Sequence, residues 1–167
     1  MPQGPAARVT DNVVHPMPGV LAGSPGSPNV LIGFLPAWRA LPLAAVAGLQ
    51  SAQSTAYASA MSAETTAVAA MGTPGAPAAR AAAEAAKAAL LASMSSAISA
   101  AAAGGTDIHI CTTFPLTPTH GPGVVITGSA TVMINNMPAS RMGDQILEAI
   151  GPPDLIAKGE MTVIIGG

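Results

Sequence analysis

A period-two alternation of apolar residues recurs at three places along the chain: Val30-Leu-Ile32, Val132-Met-Ile134 and Val163-Ile-Ile165. Each predicts a short strand, with Val30, Ile32, Val132, Ile134, Val163 and Ile165 on its inward face. Glycine and proline between these runs mark turns. From about residue 40 to 105 the pattern changes. Two alanine-rich runs, 42–71 and 77–103, flank Gly72-Thr-Pro-Gly-Ala-Pro77. Alanine is the best helix former, Gly104-Gly105 is a natural stop, and Arg80 with Glu84 makes an i,i+4 pair. Leu90, Met94 and Ile98 form an apolar stripe at helical spacing. The expectation is an antiparallel helical hairpin at 40–104, inserted into a β unit made of 1–39 and 105–167. The stretch 40–63 carries no charge, but Pro42, Gln50 and Gln53 make it weakly apolar, and the second run carries Arg80, Glu84 and Lys87. A soluble hairpin is therefore preferred over a membrane-crossing pair.

The β runs belong to a longer repeat. Residues 26–39 and 128–141 match without a gap: Gly-Ser, then Val-x-Ile, then Pro-Ala-x-Arg. A third Val-x-Ile at 163–165 lacks the tetrapeptide, which instead opens the chain as Pro5-Ala-Ala-Arg8. The repeat is thus circularly closed. A further match, Pro77-Ala-Ala-Arg80, lacks the flanking motifs and opens the second helical run, so it is set aside. Asp11, Asp107 and Asp144 follow the three repeat arginines, Asp107 only after the insertion; Arg8, Arg39 and Arg141 are expected either to pair with them or to bond turn carbonyls, holding loops rather than doing chemistry. Four residues after each aspartate stand His15, Cys111 and Glu148. A pseudo-threefold axis would bring that level together at one point.

Composition narrows the chemistry. Half of the 167 residues are hydrophobic, but aromatics make up only 2%. A core so poor in large side chains calls for a staple such as a metal. The net charge of −2, with no basic run, argues against nucleic acid and anionic membranes. A single cysteine excludes an intramolecular disulfide, and the N-terminus has no apolar signal-peptide region. Asp107-Ile-His109-Ile-Cys111 reads as a strand that turns His109 and Cys111 to one face. With His15 and His120 they would make three imidazoles and one thiolate, a closed tetrahedral zinc set without a water position. The alternative is a buried free cysteine among unrelated histidines.

The sequences around Arg8, Gly26–Arg39 and Gly128–Asp144 resemble the PAAR-repeat proteins, over essentially everything outside the insertion. The resemblance implies a mostly β fold: a small, pseudo-threefold β cone of short strands, here with an inserted Ala-rich α-helical hairpin. It further implies a tip that caps the trimeric VgrG-like spike of a type VI secretion or related contractile injection system. That tip would hold one structural Zn2+ at the positions matching His15, His109, Cys111 and His120. Glu148 is left out of that set. Such a protein would wait in the bacterial cytoplasm before firing, be delivered outward, and meet a membrane only during puncturing. A separate effector or adaptor chain would bind through the hairpin. The competing class is a small zinc-dependent or Cys-His hydrolase built on Cys111 and His120. It is disfavoured because a full ligand set leaves no open metal position or base, and no glycine-rich oxyanion turn adjoins the cysteine. No enzymatic activity is expected.

Overall fold

The computed structural model describes residues 3–14, 19–110 and 121–167. In chain order the strands and helices are β1 (Gly4–Ala6), β2 (Asn12–Val14), β3 (Gly19–Val20), β4 (Leu31–Ile32) and β5 (Leu35–Pro36), then α1 (Leu43–Ala69) and α2 (Ala76–Ala102). There follow β6 (Ile108–Ile110), β7 (Pro122–Val125), β8 (Met133–Ile134), β9 (Met137–Pro138), β10 (Gln145–Glu148), β11 (Asp154–Ile156) and β12 (Glu160–Ile165). The fold is mixed α and β rather than mostly β, because each helix has 27 residues while the longest strand has six.

The three repeats close into a ring. Ala7 N donates to Ser140 O (2.9 Å), Ser140 N to Trp38 O (3.0 Å), and Trp38 N to Ala7 O (2.9 Å). A second cycle runs beside it: Val9 N to Pro36 O (3.0 Å), Ala40 N to Pro138 O (2.8 Å) and Met142 N to Pro5 O (2.8 Å). Each segment thus gives and receives the same bonds as the other two. Three two-stranded ladders stand on this ring in one register, Leu31 opposite Pro36, Met133 opposite Pro138 and Ile164 opposite Pro5. The last is the pair made by the two ends of the repeat.

Sequence chemistry explains the repetition. Ser27 Oγ accepts from Val30 N (3.0 Å) and Ser129 Oγ from Val132 N (2.9 Å), so each serine ties the turn before its ladder. The preceding glycine leaves room for the Pro-Ala of its own repeat. A Cβ on Gly26 would lie 2.8 Å from Pro36 Cβ, one on Gly128 3.0 Å from Pro138 Cβ, and one on Gly159 2.6 Å from Pro5 O. Each repeat arginine meets its aspartate: Arg8–Asp11 at 3.0 Å, Arg39–Asp107 at 2.8 Å and Arg141–Asp144 at 3.1 Å. The same aspartates accept from the arginine backbone N at 2.8, 2.9 and 2.7 Å. In one repeat the 67 residues between Arg39 and Asp107 leave this geometry intact. Burial raises the Asp144 carboxyl above its ordinary range even against the pull of Arg141.

Ile32, Ile134 and Ile165 pack with Ala6, Ala37 and Ala139 into one small cluster beneath the ladders. The expected inward face is correct for these isoleucines but not for all the valines. Val30 is only partly buried, and Val132 and Val163 are 36% and 38% exposed. Val132 precedes a strand of only two residues, too short to carry the alternation further. Val163 lies in β12, which pairs with β1 alone.

Beyond the ring, a six-stranded antiparallel sheet runs in the order β3-β2-β11-β10-β7-β6. It curls until its edges approach: Ile110 N donates to Ala22 O (2.7 Å) and Ile108 N to Ser24 Oγ (2.8 Å). Inside lie Trp38, Leu21, Val13, Val125, Ile146 and Ile156. The hairpin covers the other face of β7 and β10, where Leu90, Met94 and Ile98 of α2 pack with Val124, Ile126, Leu147 and Ala149. The second helix is long and apolar enough to cross a membrane by length and composition. Here its apolar stripe is spent on the sheet.

Candidate functional site

Three strands bring two chemically active side chains together. His109 on β6 and Glu148 on β10 flank the central strand β7, and both have Gly123 as register partner. Side chains directly opposite on adjacent strands share a face, so His109 and Glu148 rise on either side of a residue with no side chain. The two meet across that gap, His109 Nε2 lying 3.7 Å from Glu148 Oε1. A Cβ on Gly123 would come within 2.6 Å of the same oxygen. Glycine is what lets this pair form.

Both side chains are fully buried. Neither carboxyl oxygen of Glu148 has a hydrogen-bond partner. Burial, and second the nearby Asp154 carboxylate, push the Glu148 carboxyl up to about 8. A cation at this place would reverse that preference, because an opposite charge favours the ionised form. The hairpin is tied to the end of β10 from the other face of the sheet: Gln53 Nε2 donates to Glu148 O (3.1 Å), and Gly151 N donates to the Tyr57 hydroxyl.

Of the residues expected to hold a metal, His109 lies on β6 and is buried. His15, Cys111 and His120 lie outside the described residues. Among the described residues no group of three or more His, Cys, Asp or Glu side chains is gathered to hold an ion. What the structure adds is Glu148. Its position four residues after a repeat aspartate placed it at the level of His15 and Cys111, but its contact with His109 depends on the register of three strands.

A second feature lies at the far side of the ring. Leu31, Met133 and Ile164, the middle residues of the three Val-x-Ile runs, are 60%, 53% and 56% exposed. The turns beside two of them, Gly33-Phe34 and Asn135-Asn136, have positive φ at every position, as two-residue hairpin loops require. Phe34 is 95% exposed.

No curated protein and no solved structure matches the chain. Residues 117–167 match the family model of the PAAR motif. That segment holds β7 to β12, and with them the Gly-Ser, Val-x-Ile and Pro-Ala-x-Arg of the second repeat and the Val-x-Ile of the third. Over this segment the chain carries a PAAR motif, consistent with a PAAR-repeat protein.

Proposed function

We propose that this protein caps the trimeric VgrG-like spike of a type VI secretion or related contractile injection system, as a metal-stapled tip. The PAAR motif fits a spike-tip role. The observation that carries the reading further is the threefold equivalence of the exposed Leu31, Met133 and Ile164. One chain that presents the same apolar position three times around a ring suits a partner built of three identical subunits. Apolar surface so arranged is the mark of an interaction face, and the open edges of the short ladders would be covered there.

The opposite end would be held by zinc. His109 with His15, Cys111 and His120 would make a closed set of structural type, whose binding free energy is part of the folding free energy. The role is mechanical, not catalytic. The protein would wait in the bacterial cytoplasm and leave with the spike, meeting a membrane only as it punctures. The hairpin, set outside the ring, is the surface on which a separate effector or adaptor chain would ride.

The test is the combined substitution Leu31→Glu, Met133→Glu and Ile164→Glu. These side chains are exposed, so the expected change in stability is small. Co-elution with a trimeric spike protein should be lost, while zinc content and melting temperature stay near wild type. Undiminished co-elution would overturn the docking face.

A further inference from the structure

A buried carboxyl group without a hydrogen-bond partner is costly, and such groups persist where they have work to do. Glu148 is fully buried, has no partner for either carboxyl oxygen, and faces His109 Nε2 at 3.7 Å across a gap that only glycine leaves open. We propose that Glu148 is the positioning residue of the metal centre. Its carboxylate accepts the Nε2–H of His109, which fixes the ring and leaves Nδ1 to face the ion. This rests on the reading that zinc is bound at His109.

Two arguments support the assignment. First, 3.7 Å is longer than a hydrogen bond but within a small side-chain adjustment of one. With a dication held at the other ring nitrogen, His109 Nε2–H would be a stronger donor and the Glu148 carboxylate would be drawn in. Metal-bound imidazoles usually give their second N–H to such an acceptor. Second, the charges balance. Zinc(II) with three neutral imidazoles and one thiolate carries a net charge of about +1. A buried positive charge is expensive unless paired. The Glu148 carboxylate, beside His109 on the same face, would neutralise it.

The test uses the full chain loaded with zinc, as wild type and as Glu148→Gln, which preserves shape and removes the charge. Imidazole 15N NMR of the wild type should show His109 with Nε2 protonated and Nδ1 on the metal. In Glu148→Gln, zinc affinity from chelator competition should fall by about 10- to 100-fold, and the Nε2–H proton should move upfield. Coordination of His109 through Nε2 in the wild type would overturn the proposal even if the variant failed to fold. So would an unchanged affinity with an unchanged Nε2–H signal. Wild-type protein that takes up no zinc would instead overturn the metal reading on which the proposal stands.

Discussion

Phe34 and Asn136 occupy the same place in two equivalent hairpin turns, at φ 67° and φ 64°. Asparagine tolerates this left-handed region, whereas a bulky aromatic there is strained. Phe34 is also 95% exposed, so no packing among the described residues compensates for the strain. An aromatic anchor on the docking face would explain it. Phe34→Asn should hold or raise the melting temperature while weakening spike binding by about tenfold or more. A variant that binds undiminished would leave the strained phenylalanine without a docking role. Glu148 gives a second residue-scale prediction, for protein stripped of metal by a chelator. Its carboxyl loses its proton near 4.5 in the unfolded chain but only near 8 when folded. Between those values the folded state holds the extra proton, so stability falls as pH rises through the window. The melting temperature of stripped protein should drop across it, and Glu148→Gln should flatten that slope. A midpoint that climbs with pH would contradict the burial of Glu148.

At the level of elements, the helical hairpin was plain in the sequence because alanine runs, a Gly-Pro turn and the Leu90–Met94–Ile98 stripe agree with one another. Less legible was what the stripe would cover. Treated as an insertion, residues 40–105 should be removable without harm to the rest. Yet Leu90, Met94 and Ile98 share one cluster with Val124, Ile126, Leu147 and Ala149. Replacing 40–105 by a short glycine linker would expose that apolar face, so the melting temperature should fall well below that of the full chain. Ile98→Ala alone should cost about 2–5 kcal/mol in chemical denaturation. A deletion that melts like the parent would mean the hairpin only rides on the sheet. The charged network Glu64–Arg80–Glu84–Lys87, by contrast, is exposed and adds little to stability. Of the short strands, those at the three Val-x-Ile runs and at His109 were legible, whereas β2, β3, β7, β10 and β11 were not. The inward faces of the Val-x-Ile strands were only half so, since two-residue strands end before an alternation is established.

For the molecule as a whole, the repeat register carried most of what could be read. It anticipated the three Arg–Asp pairs and the completion of the last repeat by the first residues, and both follow from matched motifs. It could not show that Gly123 brings His109 and Glu148 face to face, because that depends on the order β6-β7-β10 in a sheet joined across long separations. The pairing of Gly4 with Ile165 spans nearly the entire chain. Contacts so distant in sequence are slow to form, whereas the hairpin needs only its own neighbours. During synthesis α1 and α2 can therefore assemble early, while the ring stays open until the final strand leaves the ribosome. Throughout that interval Ile32, Ala37 and Trp38 have no closed layer to enter, and the nascent chain would present them to chaperones and proteases alike.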